Sequence, residues 1–251
     1  MKRFQQLVAI VSMIIFSFSS YGLEKLRIMT EDYPPFNYLD KDKQLKGYAV
    51  ELLTEVIKKI DAPQDIAAIK VAPWARGYSQ AQKPGLKNML FATTRTEERE
   101  ILFKWVGPIA QTKIVVFAST DNPITINSAE DLKKYKFAAI RGDIGAILLG
   151  SNKVPTANIH QLNKFSLLTR MVEKKRVDMF AYEQSGAIDL MKKNNIDTSK
   201  FKVAYVLKKG ELYYAFNLSV DEKTINAYQQ GLEDVKKDSV FIKTITDKYL
   251  K

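Results

Sequence analysis

Cysteine is absent from this 251-residue sequence, and histidine occurs once, at His160. The lack of cysteine excludes disulfides, a thiolate nucleophile, thiolate metal sites and the lipid-attachment cysteine of a lipoprotein. The fold must therefore be held together by burial of apolar side chains. With one histidine and no cysteine, the sequence offers no recognisable nucleophile–base constellation, and we expect no catalytic residues, no metal and no cofactor.

Long apolar runs are also missing, except at the N-terminus. Lys2 and Arg3 precede an apolar stretch over 7–18, and Ser20-Tyr21-Gly22 provides a small-residue cleavage site. This order is typical of a cleavable export signal, and the apolar stretch is too short to span a bilayer. We therefore expect a signal peptide over 1–22 and a soluble mature protein in the periplasm; the alternative is an uncleaved anchor.

Acidic residues are fewer than basic ones, and the formal net charge is +11. In a cytoplasmic protein such a balance would suggest nucleic-acid binding. Here the lysines are dispersed along the chain and do not alternate with aromatic residues as a base-stacking surface requires. Together with the export signal, this dispersion predicts that the protein does not bind nucleic acid.

Strand-like and helix-like patterns alternate along the rest of the chain. Strands are predicted over 26–29, 66–71, 88–92, 113–118, 137–140, 177–181, 202–207 and 212–217. Helices are predicted over 48–60, 74–82, 164–175 and 185–193 and over most of 221–249. Lys208-Lys209-Gly210 is predicted to be a turn between the last two strands. Such alternation predicts parallel sheets flanked by helices.

The change of pattern near residues 112 and 208 predicts two α/β lobes. The first comprises 23–111 plus 208–251, the second comprises 112–207, and two crossing strands join them. In such folds ligands bind at the carboxyl ends of the strands, so we expect a cleft between the lobes.

Four motifs occur in a characteristic order. They are Tyr33-Pro34-Pro35-Phe36, the segment 45–52, the segment 94–99, and Arg176-Val177-Asp178 followed by Glu183. Their order and separation resemble the bacterial periplasmic solute-binding proteins of the polar amino-acid class, family 3, over essentially the whole mature chain. The resemblance implies a type II two-lobe periplasmic-binding-protein fold. It also implies a small amino-acid-like ligand, closure of a hinge around it, a membrane ABC permease as partner, and a monomer.

In the first lobe the resemblance implies that Tyr33 packs over the ligand. It assigns the ligand's α-carboxylate to Thr94, Thr96 and Arg99, because a planar guanidinium makes two parallel charge-assisted hydrogen bonds to a carboxylate. The spacing from Arg99 to Phe103 is two residues shorter than the family's usual arginine-to-phenylalanine spacing. Arg95 is therefore a second candidate for the same role.

In the second lobe the resemblance points to Gly142 and Asp143, in a loop whose backbone amides open a helix and suit an anion; the alternative is an ordinary glycine turn. Glu183 matches the acidic partner of the ligand's α-ammonium. Trp74 and Arg76 fall where the family lines the side-chain subsite, although Trp74 also suits the core and Arg76 the surface.

Two other functions fit the same resemblance. Cyclohexadienyl dehydratases are similar in fold and sequence, and Glu183 or Asp143 would then be the candidate acid or base. A receptor that presents its ligand to a membrane sensor is the second alternative. Arginines 76, 95 and 99 near the presumed cleft favour an acidic ligand, although net charge alone does not specify a pocket.

Overall fold

The computed structural model of the protein describes residues 22–122 and 124–250, so the predicted signal peptide lies almost entirely outside the described residues. The strands are β1 (Arg27–Thr30), β2 (Tyr38–Leu39), β3 (Leu45–Lys46), β4 (Lys70–Val71), β5 (Asn88–Thr94), β6 (Lys104–Ser119), β7 (Phe137–Ile140), β8 (Ile159–Leu162), β9 (Met179–Glu183) and β10 (Phe201–Phe216). The helices are α1 (Tyr48–Lys59), α2 (Trp74–Ala81), α3 (Glu97–Glu100), α4 (Ile144–Ser151), α5 (Phe165–Glu173), α6 (Gln184–Lys193), α7 (Glu222–Lys236) and α8 (Ser239–Tyr249). No helix in these two described ranges has the length and apolarity to cross a bilayer.

Eight strands form one continuous sheet in the order β4-β1-β5-β10-β6-β9-β7-β8. β1 pairs in parallel with β4 and β5 at one end, and β7 pairs in parallel with β8 and β9 at the other. Helices α1, α2 and α5, which connect parallel strands, are amphipathic, as α1 shows by burying seven of its residues, including Leu52, Leu53 and Val56. The predicted α/β class with two lobes is therefore confirmed.

Two 16-residue strands, β6 and β10, run between the lobes. They pair with each other along nearly their whole length. On its other side, β10 pairs with β5 of the first lobe, but only from Leu212 to Phe216. In the same way, β6 pairs with β9 of the second lobe only from Ile114 to Ala118. The two strands thus change partners midway, as crossing strands between two lobes must.

The predicted turn at Lys208-Lys209-Gly210 is wrong. These residues lie inside β10, where Lys209 pairs with Lys113 and Gly210 with Thr112. A register shift between Val206 and Lys208 accommodates the polar stretch in the ladder. Lysine pairs and glycine are typical of turns in isolation, but here the pairing with β6 outweighs that local preference.

The predicted strand over 66–71 is also largely wrong. Ile66–Ala68 forms a 3-10 helix whose first turn is capped by the Asp65 side chain, and only Lys70–Val71 pairs with β1. A capping box at Ser128 opens a second short 3-10 helix over Ala129–Lys134. His160 lies on β8 at the edge of the sheet.

The carboxyl ends of four strands point toward the space between the two lobes. β1 ends at Thr30, β5 at Thr94, β7 at Ile140 and β9 at Glu183. Each strand is almost fully buried, so its apolar side chains fix the position of the polar residue that follows. Helices α7 and α8 return to the first lobe and pack on α1.

Candidate ligand-binding cleft

A small cavity lies where the carboxyl ends of these strands meet. Its lining combines residues of the first lobe with residues of the second: Glu31, Tyr33, Trp74, Ala92, Thr94, Arg99, Asp143, Ile144, Tyr182 and Glu183. The cavity has a volume of about 10 Å³, which is close to the space that one water molecule requires. The two lobes therefore lie close together here, and an amino-acid-sized molecule enters only when they separate.

Arg99 is the most deeply buried charged residue of this cavity, with 1% of its side chain exposed. One terminal nitrogen donates to the Thr94 carbonyl at 3.1 Å and the other to the Gly142 carbonyl at 3.3 Å, so the guanidinium contacts both lobes. It also lies 5.1 Å from the ring centroids of Trp74 and Tyr78. Its Nε has no hydrogen-bond partner within the described chain, which leaves one donor available to a ligand.

Arg95 faces away from the cavity. Its Nε donates to the Glu100 carboxylate at 2.7 Å, and its guanidinium lies over the rings of Trp105 and Tyr213 at 5.7 and 5.3 Å. The side chain is exposed on the surface. Of the two arginine candidates on this segment, only Arg99 lines the cavity.

Thr94 and Thr96 are both buried beside Arg99. Thr94 ends β5 and lines the cavity directly. Thr96 precedes the first turn of α3, and its hydroxyl has no partner among the residues that the structure describes. Thr94 is therefore placed to contact a ligand beside Arg99, whereas Thr96 does not line the cavity and lies next to the Glu98 carboxylate.

The second lobe contributes the loop before α4. Gly142 adopts φ +67°, a conformation that glycine accepts without strain. Its carbonyl accepts from the Trp74 indole nitrogen at 2.9 Å and from Arg99, so this turn is a contact between the lobes. Asp143 follows and lines the cavity; burial raises the pKa of its carboxyl, while the positive charge of Arg99 opposes the rise.

Glu183 ends β9 and is only 3% exposed. Its carboxylate accepts from the Gly186 backbone N–H at 2.6 Å, which caps α6, and from the Lys113 N–H at 3.5 Å. Burial raises the pKa of Glu183, and the backbone donors partly offset this effect. The residue therefore has a structural role at the start of α6 and also presents a carboxylate to the cavity.

The aromatic candidates lie in the cleft, whereas Arg76 does not. The Tyr33 ring lies 5.2 Å from Phe36 and 6.2 Å from Tyr182 of the opposite lobe. Trp74 is buried and stacks on Tyr78 at 5.4 Å. Arg76 is exposed on α2 and is not among the residues that line the cavity.

Sequence reasoning gave Glu31 no binding role, and it missed Tyr182 as a cleft residue. Glu31 comes directly after the buried strand β1, at the carboxyl end of a parallel strand, and this position was the available signal. Burial raises the pKa of Glu31 well above its usual value, and the charges of Asp143 and Asp32 raise it further against the opposing charge of Arg99. Tyr182 lies in the middle of a buried strand, and no pattern in the sequence distinguishes it from a core residue.

A larger pocket continues outward from the small cavity. It has a volume of about 390 Å³ and shares Glu31, Trp74 and Tyr182 with the cavity. Its other walls combine apolar side chains, including Val71, Ile140, Phe165 and Leu190, with the polar residues Asp32, Asn163, Lys164, Ser166 and Asn194. The cleft thus has an inner polar part and an outer part with the volume of a small-molecule site.

Polar contacts between the lobes also occur at the rim of the cleft. Lys193 on α6 donates to both carboxylate oxygens of Asp32, at 2.9 and 2.8 Å. Ser151 at the end of α4 donates to Glu98 at 3.2 Å. With the Gly142 contacts described above, these bonds hold the two lobes in a closed arrangement.

A two-lobed α/β fold with crossing strands and a polar interlobe cleft defines the class of the periplasmic binding proteins. Residues 26–251 match the family model of the bacterial extracellular solute-binding proteins, family 3, and the chain belongs to this family. Since these are binding proteins, membership confirms the expectation that the protein is not an enzyme and argues against the dehydratase alternative.

Relatives and solved structures agree with this assignment. The L-cystine-binding protein TcyA of Bacillus subtilis is 24% identical over 218 residues, which cover 84% of this chain and 75% of TcyA. The structure of an ancestral arginine-binding protein bound to arginine has a TM-score of 0.75 at 22% identity and covers 90% of this chain and 98% of its own. A histidine kinase sensor domain similar to periplasmic binding proteins has a TM-score of 0.77 at 18% identity, with 90% and 96% coverage.

Proposed function

We propose that this solute-binding protein captures an α-amino acid between its lobes in the periplasm and presents it to a membrane ABC permease. The observation that carries the proposal is Arg99, a buried guanidinium with an unpartnered Nε on the wall of the interlobe cavity. A guanidinium in this setting is suited to bind a carboxylate. That a relative binds cystine and a structural neighbour binds arginine supports an amino acid as the ligand class.

In the proposed complex Arg99, Thr94 and Thr96 bind the ligand's α-carboxylate from the first lobe. The backbone amides that follow Gly142 and Asp143 at the start of α4 approach the same carboxylate from the second lobe. Glu183 accepts a hydrogen bond from the α-ammonium, and Tyr33 packs over the ligand. Trp74 forms a wall of the side-chain subsite, whereas Arg76 and Arg95, which lie outside the cavity, have no part in binding.

We further propose that the signal peptide comprises residues 1–22 and that the mature protein is a monomer. Its lobes would then be 23–111 plus 208–251 and 112–207, and the partner changes midway along β6 and β10 support this division. Intact-mass measurement of the exported protein gives its first residue, and analytical ultracentrifugation gives its oligomeric state. A mature chain that begins far from residue 23, or a dimer, would contradict the respective part.

Arg99→Ala is expected to weaken binding of the amino-acid ligand by about 2–5 kcal/mol, the usual loss when one partner of a buried charged pair is truncated. The protein is first unfolded and refolded to remove carried-over ligand, and it is then screened against amino acids by thermal shift. A ligand at about 100 times its dissociation constant adds about 2.7 kcal/mol to the free energy of unfolding. Calorimetric titration of the best ligand then gives the affinity of each variant.

Arg95→Ala is the matched control, because it removes an arginine four residues away that contacts Glu100 at the surface. It should bind the ligand as tightly as the unchanged protein. Arg99→Lys keeps the charge but lacks the planar guanidinium, so its affinity for the ligand should lie between those of the unchanged protein and Arg99→Ala. Equal affinities for the Arg99 and Arg95 variants would refute the carboxylate role of Arg99.

The transport partner is tested separately in cells. Deletion of the gene should abolish high-affinity uptake of the radiolabelled ligand, and the gene in trans should restore it. Unchanged uptake in the deletion strain, with loss of a ligand-dependent transcriptional response, would instead indicate the alternative in which the protein serves a membrane sensor.

A further inference from the structure

The charges that line the cleft do not balance for an ordinary amino acid. The inner cavity is lined by three carboxyl groups, those of Glu31, Asp143 and Glu183, and by one guanidinium, that of Arg99. The proposed zwitterion pairs its carboxylate with Arg99 and its ammonium with Glu183. Glu31 and Asp143 must then share the positive charge of Arg99 with the ligand's carboxylate. Asp143 also interacts with the backbone N–H groups of Ile144 and Gly145, so Glu31 is the carboxyl group whose charge is least compensated, and such a charge is costly to bury.

Glu31 has the position of a side-chain recognition group. It lines both the inner cavity and the outer pocket of about 390 Å³, so it lies where a ligand's side chain must pass. Within residues 22–122 and 124–250 no hydrogen bond to its carboxylate is formed, although its backbone carbonyl accepts from Asn37. Asp143 lies near enough for its charge to raise the pKa of Glu31.

The walls around these two carboxyl groups suit a cation on an apolar stem. Trp74 and Tyr182 lie at the junction with Glu31, and aromatic faces attract cations. Val71, Ile140 and Leu190 line the outer pocket and match a chain of methylene groups. The same cavity contains the buried Arg99 with its unpartnered Nε, so the acidic groups belong to a site already built for a charged ligand.

We propose that Glu31 and Asp143 form the subsite for a positively charged ligand side chain, so that the ligand is an α-amino acid carrying an amine or a guanidine. This inference rests on the proposed function and specifies its ligand class. It reverses the expectation of an acidic ligand, because Arg76 and Arg95 lie outside the cleft while a carboxylate that the sequence did not single out lies inside it.

Lys164 is the feature that favours a different ligand. It lines the outer pocket and is exposed at its mouth, where it would suit a second carboxylate. Exposure to water weakens its influence on the inner cleft, whereas Glu31 is at the junction itself. Lys164 therefore serves as the control position for the experiment.

The test compares lysine, arginine and ornithine with glutamine, glutamate and cystine by calorimetric titration of the ligand-stripped mature protein. The unchanged protein should bind at least one cationic amino acid at least about tenfold more tightly than glutamine, glutamate or cystine. A tenfold difference in affinity is about the effect expected from one additional charged contact. Glu31→Gln should weaken binding of the cationic amino acid about tenfold. Its affinity for glutamine should stay within about threefold of that of the unchanged protein, because only the charge is lost. Asp143→Asn should act in the same direction, and Lys164→Gln should leave cationic ligands unaffected or improve their binding.

Two results would overturn the inference without touching the proposed function. One is tighter binding of glutamine, glutamate or cystine than of every cationic amino acid, with the binding still dependent on Arg99. The other is loss of binding in Lys164→Gln combined with unchanged binding in both Glu31→Gln and Asp143→Asn. If no α-amino acid binds at all, the proposed function itself fails.

Discussion

Three carboxyl groups of the cleft share one electrostatic property. Burial raises the pKa of Glu31, Asp143 and Glu183 above their usual values. Each group therefore binds its proton more tightly in the closed, folded protein than in the unfolded chain. The resulting stabilisation is fully present below the ordinary carboxyl pKa and is lost as the pH rises through the raised value.

The ligand-free protein should consequently become more stable as the pH falls from about 7 to about 5, a window above the ordinary carboxyl pKa of about 4. Melting temperatures measured across this range should rise toward the acidic end. Glu31→Gln, which cannot ionise, should show a smaller rise. Identical pH profiles for the two proteins would mean that Glu31 does not carry a raised pKa.

Two neighbouring arginines show what sequence reasoning was unable to determine. Arg95 and Arg99 are four residues apart on one short segment, and only the direction of the α3 turn places one inside and the other on the surface. Glu31 received no binding role because a carboxylate after a strand resembles any other loop residue until the opposite lobe is placed against it. Tyr33, Trp74, Thr94 and Glu183 line the cavity, and we propose that they contact the ligand.

At the scale of elements, helix α6 contacts the first lobe through Gly186. A Cβ at this position would lie 2.7 Å from the Tyr33 ring and 3.0 Å from the Pro34 carbonyl oxygen. Only glycine allows α6 to approach the Tyr33 loop so closely. The close approach exists only when the lobes are together.

Gly186→Ala should therefore oppose closure at a cost of about 1–3 kcal/mol, as overpacking typically does, and should lower ligand affinity accordingly. The matched control is Gly150→Ala on α4, where a Cβ meets nothing within 4 Å. The control should gain about 0.4–1 kcal/mol of stability and keep its affinity. Calorimetric titration and thermal melting of both variants measure the difference; equal affinities would show that α6 is not a closing surface.

The elements themselves were largely predictable from hydrophobic periodicity. Helices α1, α2, α5 and α6 lie where the pattern placed them, since each has one apolar face on the sheet. The failure at Lys208–Gly210 has a long-range cause, because its pairing partner in β6 is about a hundred residues earlier in the chain. Local composition does not reveal such a partner.

At the scale of the whole molecule, the Lys193–Asp32 ion pair joins the lobes at the rim. Both side chains are a little over 40% exposed, so the pair contributes at most about 0–1 kcal/mol. Lys193→Met should shift the population toward open molecules and weaken binding by up to about fivefold, with a larger effect at low salt. Small-angle scattering of the ligand-free protein should then show a larger radius of gyration.

Lys192→Met provides the comparison, because Lys192 pairs with Asp189 inside the same helix at 4.0 Å. It removes the same charge from the neighbouring position without touching the first lobe. Scattering and affinity should stay unchanged in this variant. An equal increase in the radius of gyration of the Lys193 and Lys192 variants would show that the loss of net charge, and not the loss of the rim ion pair, opens the protein.

The order of strands in the sheet has a consequence for the time course of folding. β7, β8 and β9 follow one another along the chain and pair among themselves and with β6, which precedes them. β5, in contrast, lies early in the chain but needs β10 as its second neighbour, and β10 is the last strand of the sequence. The middle of the chain is thus able to fold first. The N-terminal third remains only partly paired, and therefore accessible to chaperones and proteases, until β10 pairs with β5.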